Sequence, residues 1–304
     1  MMSGRLTKLT LLKWVLALLI LGGSRIAISG DPAELKGSMH YRKILDQVLG
    51  HWPPQYPESR PSDGSKERES PISVQGWETR GDGDYIGLQK KMMIFAPLEV
   101  VDQILGDFEH YVELFPEFKE IRVIKQDQSE ILTHWERPIP FPFVPNVHYV
   151  TAYQVDRSRT GRIVFRVQLK ESNRVWVSDD LVVLEKKGPN LTQFTAFSFF
   201  EADWGPVRIL GLGKIWKDSI EGSVLSDLSF KLRAEHLDWP SQKIQSERRK
   251  LLPDGFVDQV FDRKRPFDLG EIVPALKVLP SPVPSPSSAP SPISAPSPSL
   301  LPLA

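Results

Sequence analysis

Residues Phe95 to Ile124 read FAPLEVVDQILGDFEHYVELFPEFKEIRVI, and this stretch decides the fold. Its first part is an amphipathic helix. Leu98, Val101, Ile104, Leu105 and Phe108 recur at three- and four-residue spacing and share one face, while Glu99, Asp102, Gln103 and Asp107 occupy the other. Pro97 suits the first helical turn, where its missing N–H would have no partner anyway. After Asp107 the run of Phe108, Tyr111, Leu114, Phe115, Pro116 and Phe118 is too rich in aromatics for a solvated loop. Ile121, Val123 and Ile124 then start a strand. A short helix and aromatic turn leading into a sheet read as a lid over something apolar.

Downstream, strand signals follow one another with short connections. Ile121 to Lys125 and Glu130 to Trp135 flank a polar turn, and ERPIPFPFVPN follows with four prolines between Pro138 and Pro145, which forbid regular ladder pairing. Val147 to Val155 and Ile163 to Leu169 alternate at period two around Ser158 to Gly161. Val175 to Glu185 and Leu191 to Phe200 form another pair. Strands so spaced, with no helices between them, imply an antiparallel meander rather than βαβ units. Pro206 then suits a helix start, and Leu212, Ile215, Trp216, Ile220, Val224, Leu228 and Leu232 hold helical spacing for a long final helix that must lie along the sheet.

Upstream, Val74 to Thr79 and Tyr85 to Ile94 are strands around the Gly81-Asp82-Gly83-Asp84 turn. Residues 31–50 carry an apolar stripe of Leu35, Met39, Ile44, Leu45, Val48 and Leu49 whose partner the sequence does not show. The segment from His51 to Pro71 has too little apolar area to offset its ordering entropy and reads as a linker. Arg5, Lys8 and Lys13 precede the apolar run Trp14 to Gly23, and Ala27-Ile28-Ser29 offers a small-x-small cleavage site before Gly30. The expected organisation is therefore a signal peptide over 1–29, a helix and polar linker over 30–71, the main domain over 72–236, a charged extension over 237–273 and a Pro/Ser/Ala-rich tail over 274–304. An uncleaved N-terminal anchor is the alternative to the signal peptide. Either way the bulk of the chain is exported, to a periplasm or outside the cell, and an anchor would place it near a membrane.

Composition narrows the chemistry. The 38 basic and 38 acidic residues cancel and no Lys/Arg-dense block stands out, which argues against nucleic-acid binding. Cysteine is absent from the 304 residues, which removes disulfides, thiolate metal sites and a Cys nucleophile. No G-x-S-x-G, H-E-x-x-H or glycine-rich phosphate loop occurs, so no cofactor, metal or nucleophilic triad is expected.

The order of strand, short helix, aromatic turn, meander and long terminal helix resembles the START-related helix-grip superfamily (SRPBCC), more narrowly its polyketide cyclase/dehydrase and coenzyme Q-binding-like branch. The residues that carry the resemblance are Ala96 to Val101, Asp107 to Pro116 and Lys119 to Ile124, and it covers about 72–236. It implies an α+β helix-grip fold, with a curved antiparallel sheet wrapped around the long C-terminal helix and a cavity between them. It also implies binding of an apolar small molecule or lipid, quinone-like or acyl, without supplying an activity, since one fold hosts carriers, cyclases and binding modules.

The candidate ligand-binding residues are therefore Phe108, Tyr111, Leu114 and Phe115 of the lid, Trp135, Tyr149, Trp176, Phe197 and Phe199 of the strands, and Leu212, Trp216 and Ile220 of the long helix. Among polar residues, His134 or His148 with Glu201 would form a general acid/base pair in a cyclase or dehydratase. Alternation puts His148 opposite to Val147, Tyr149 and Tyr153, which disfavours that reading, and no catalytic residue is assigned. A third reading is a protein-interaction module that uses the 138–145 proline segment.

Overall fold

The computed structural model describes residues 32–52, 71–78, 85–127, 130–139, 145–202 and 211–272. The segment expected as a signal peptide, most of the expected linker, the expected turn at 81–84, the centre of the proline segment, Pro206 and the tail from 274 lie outside the described residues. No helix among the described residues is long and apolar enough to cross a membrane.

The strands are β1 (Ile72–Glu78), β2 (Tyr85–Ile94), β3 (Glu120–Gln126), β4 (Ile131–Arg137), β5 (Val147–Arg159), β6 (Arg162–Ser172), β7 (Val175–Gly188), β8 (Leu191–Ala202) and β9 (Arg265–Pro266). The helices are α1 (Pro32–Gly50), α2 (Leu98–Leu105), α3 (Tyr111–Leu114), α4 (Leu212–Glu235), α5 (Ser241–Lys250), α6 (Phe256–Asp262) and α7 (Leu269–Ile272), with a 3-10 turn at Phe108–His110. The strands make one sheet in the order β3-β4-β5-β6-β7-β8-β2-β1-β9. The strands from β3 to β8 form the antiparallel meander expected, and all neighbours pair antiparallel except the two-residue β9, which joins β1 in parallel and makes the sheet mixed. Register shifts interrupt β3/β4, β5/β6 and β7/β8, and such bulges bend the strands and raise their twist. The result is an α+β helix-grip fold, a curved sheet closed around α4.

The inner face is set by strand parity. Leu88 and Met92 of β2 pair with Ser198 and Phe194 of β8, and Asp180, Val182 and Leu184 of β7 pair with Ser198, Ala196 and Phe194. These residues point toward α4, whose Ile220, Val224 and Leu228 are buried with Phe194, Leu184 and the α2 residues Leu98, Val101 and Leu105. Pro97 lies just before α2 rather than inside it, and its carbonyl accepts the Val100 and Val101 N–H groups. Gly211, at φ 87°, starts α4, a conformation that costs glycine little.

The outer face is covered too, by α1. Ile44, Leu45 and Val48 bury against Val177, Leu181, Val183, Phe197 and Phe199. Met39, placed on the same stripe by its spacing, is 53% exposed instead. Helix α1 is also fixed by charge: Asp179 is fully buried, accepting from Leu169 N–H at 3.2 Å and Arg42 Nε at 3.4 Å, while Arg42 Nη2 donates to the Leu169 carbonyl at 2.6 Å. Residues 241–272, ambiguous in sequence, fold onto the same body. Arg248 of α5 donates to Ser229 Oγ of α4 at 2.8 Å and to the Leu114 carbonyl of α3 at 3.3 Å, and Phe256 and Val260 of α6 join the inner core.

Removing Arg42 takes away the cation that faces buried Asp179 beneath α1. Breaking a buried ion pair usually costs ~3–5 kcal/mol, and the 24% exposure of Arg42 lowers the expectation to about 2 kcal/mol. Arg42→Ala should lose about that much in chemical denaturation, whereas Met39→Ala should stay within ~0.5 kcal/mol of the parent. Equal effects would mean that α1 is not held by this pair.

Candidate functional site

The inner face does not close completely. At the middle of α4, the side facing the sheet carries Ser219, Gly222, Ser223 and Ser226, and the opposing strand positions include Ser178, Ala196 and Ser198. Small residues on both surfaces leave a cavity of about 300 Å³ between them. Ser178, Asp180 and Val182 point at the helix and still keep accessible surface, as do Gly222, Ser223 and Ser226 opposite, which is the signature of unfilled space. Gly222 is notable. A Cβ there would meet nothing within 4 Å, and glycine in a helix interior costs ~1 kcal/mol relative to alanine, yet this residue sits mid-way along a 24-residue helix.

Aromatic rings wall the cavity on the β4/β5 side. Trp135 and Tyr149 are register partners and stack with centroids 5.9 Å apart and planes 2° from parallel. Tyr153, one inward-facing position past Thr151, contacts Phe108 at 4.5 Å. The indole N–H of Trp135 donates to Thr133 Oγ1 at 2.8 Å and Thr151 Oγ1 at 2.9 Å, which fixes the ring without exposing a polar atom to the cavity. From above, Tyr111 and Phe115 lean on Phe230 of α4 at 5.3 and 5.2 Å, and the Tyr111 hydroxyl donates to the Leu105 carbonyl at 2.5 Å. Burial raises the pKa of Tyr111, Tyr149 and Tyr153, so these phenols remain neutral through the physiological range.

One patch of the wall is charged. Lys90 of β2 is 4% exposed; its ammonium donates to Ser223 Oγ at 2.8 Å and lies 2.8 Å from Asp227 Oδ2 of α4. That ion pair is buried on both sides. Asp180 of β7 faces the same space and bonds the Ser198 hydroxyl. Burial pushes Asp180 up to about 6, with Ser198 and Lys90 pulling it down and Asp179 and Asp227 pushing it up. Burial raises Asp227 as well, against the pull of Lys90. Among the described residues, no group of three or more His, Asp or Glu is placed to hold a metal ion.

Of the residues expected at a ligand site, the structure brings Tyr111, Phe115, Trp135 and Tyr149 together around this cavity. Phe199 borders it but commits its ring to the outer face, stacked on Tyr41 at 4.8 Å. Phe197, two positions from Phe199, shares that outward parity and is buried under α1. Phe108 and Leu114 pack behind the aromatic wall, Ile220 and Trp216 belong to the filled part of the core beside α2, and Trp176 falls in the β7 bulge away from the cavity. The side chain of Leu212 lies outside the described residues. His134 and His148 neighbour each other at 5.7 Å, but on the strand face opposite to Trp135 and Tyr149, and Glu201 does not line the cavity, so the His/carboxylate pair is not assembled there. The sequence reading missed Lys90, Asp180, Asp227 and Gly222. The available signal was the Ser219, Gly222, Ser223, Ser226 and Asp227 spacing, a small polar stripe on a helix whose neighbouring stripe is apolar.

No family model matches the chain, and no curated protein matches it in sequence. Solved structures to which the chain is similar include members of the START superfamily. Human STARD10 is 13% identical, with 82% of this chain and 96% of that one covered at a TM-score of 0.47. An aromatase/cyclase from Streptomyces sp. R1128 is 13% identical, with 56% and 98% covered at 0.38. A STAR-related lipid transfer protein from Xanthomonas axonopodis is 14% identical, with 61% and 97% covered at 0.38. At these identities and scores the likeness carries no argument about what this chain does.

A carboxyl with a folded pKa near 6, against ~4 when unfolded, holds its proton longer in the folded state. Its contribution to stability is therefore largest below pH 4 and falls as the pH rises from about 4 to about 6. Asp180→Asn should remove that fall and leave the protein ~2–3 kcal/mol more stable than the parent at pH 7. Denaturation midpoints measured from pH 4 to 8 test this; an Asn variant that is less stable at pH 7 would contradict the burial of Asp180.

Proposed function

We propose that this protein binds a compact hydrophobic small molecule or lipid-like ligand without transforming it, in the cavity between the sheet and α4. The observation that carries the reading is the space held open by Gly222 and its serine neighbours, walled by Tyr111, Trp135, Tyr149, Tyr153 and Phe230. Ligand cavities run from ~300 to ~1,000 Å³, so this one suits a ring system or a single short chain, quinone-like in bulk, better than a two-chain lipid. Hiding ~200 Å² of apolar ligand surface at ~25 cal/mol per Å² contributes about 5 kcal/mol before any polar contact.

Acid–base chemistry on a bound ligand is the second reading, and it rests on Asp180 alone. On that reading Asp180→Asn would abolish turnover of a ligand that still binds. Export is proposed from the sequence of 1–29, and N-terminal sequencing of the protein from its own host tests it: a mature chain starting at Gly30 supports cleavage, and an intact Met1 in the membrane fraction supports the anchor.

The cavity itself is tested by filling it. Gly222→Leu places an isobutyl group in open space and gains helix propensity, so the variant should melt higher than the parent. Mass spectrometry of organic extracts should find a co-purifying apolar molecule with the parent and not with the variant. A destabilised variant that still carries the molecule would contradict the proposed site.

A further inference from the structure

The charge inside the cavity is unbalanced. Facing Asp180 are Lys90 from β2, Asp227 from α4, the Ser198 hydroxyl from β8, and the Tyr149 and Tyr153 phenols from β5. Asp179, on the same strand, points to the other face and pairs with Arg42. Among the described residues, one buried ammonium therefore stands against two carboxyls. That ammonium is already engaged, with Asp227 and Ser223 both at 2.8 Å, and Asp227 is only 6% exposed. Arg137, Glu117 and Asp218 also reach the cavity lining; Arg137 and Asp218 do so from exposed positions, where solvent screens their charge.

We infer that the cavity selects a hydrophobic amine, whose protonated nitrogen donates to Asp180 and Asp227 while its apolar body lies against Trp135, Tyr149 and Phe230. The inference rests on the ligand-binding reading above and names the class of ligand. An ammonium supplies the missing positive charge and up to three donors to a site that has acceptors to spare. Electron-rich ring faces line the approach, and such faces attract cations. An anionic amphiphile meets the opposite situation: a fatty-acid carboxylate would add a negative charge to a net-negative site whose lysine is taken, with little water to screen the repulsion. A neutral alcohol offers one donor and no charge, and falls between the two. Acyl ligands bearing a free carboxylate are thereby disfavoured, although the size and apolarity of the cavity alone would admit them.

The test uses the full chain and three probes of matched shape: 2-naphthylmethylamine, 2-naphthalenemethanol and 2-naphthoate, titrated by calorimetry at pH 7.5. The amine should bind at least about tenfold more tightly than the alcohol, and the naphthoate most weakly. Asp180→Asn should erase the advantage of the amine and leave alcohol binding within about twofold, with folding of the variant confirmed by its melting transition. Between pH 5 and 7.5, amine binding to the parent should strengthen as Asp180 ionises. Naphthoate binding as tightly as the amine, or an unchanged order in Asp180→Asn, would overturn the charge assignment while leaving the cavity in place. Failure of all three probes to bind would instead overturn the ligand-binding reading and this inference with it.

Discussion

A long helix can seal the inner face of a curved sheet only if the side chains that meet between them fill the gap, and along the middle of α4 they do not. Ser219, Gly222, Ser223 and Ser226 face Ser178, Ala196 and Ser198, while bulkier contacts to either side hold the two surfaces apart. Ile220, Val224 and Leu228 pack beside α2, and Phe230 props against Tyr111 and Phe115. The helix is thus supported along its edges and left unfilled at its centre. Because protein interiors are otherwise packed like crystals, such a gap costs stability and persists only where something holds it open.

The charged patch follows from the same geometry. A sheet covered on both faces cannot send two adjacent strand residues to solvent, so Asp179 and Asp180 must both be accommodated inside. Asp179 meets Arg42 beneath α1 and Asp180 meets the cavity. The first is a structural solution, in which a helix brings its own cation to the sheet. Among the described residues the second shares its only buried cation, Lys90, with Asp227 and Ser223. Two neighbouring residues of the same type therefore differ in role through parity alone.

Much of the fold was legible in the chain, because period-two alternation over 147–169 and the three/four spacing along α4 leave few ways to bury their apolar faces. The aromatic turn likewise announced the wall of a cavity: Tyr111 and Phe115 line it. Where the reading went astray, the cause was phase rather than period. In β8, apolar residues fall on both faces, with Phe194 and Phe200 of one parity and Phe197 and Phe199 of the other, so alternation could not say which pair looked inward. Helix α1 lacked a visible partner for the same reason, since the outer face it covers is recognisable only once the register is known. Lys90, Asp180 and Asp227 come from three elements far apart in sequence, and charged residues in isolated strands or helices ordinarily read as solvated.

The central claim is that the space between α4 and the sheet belongs to a ligand, and a crystal structure of the protein purified from its own host tests it most directly. The account requires non-protein density between Gly222 and Val182, reaching from the aromatic wall of Trp135 and Tyr149 to the Lys90, Asp180 and Asp227 patch. A helix collapsed onto the sheet, with Phe230 and Tyr153 filling the gap and no room for a bound molecule, would contradict it.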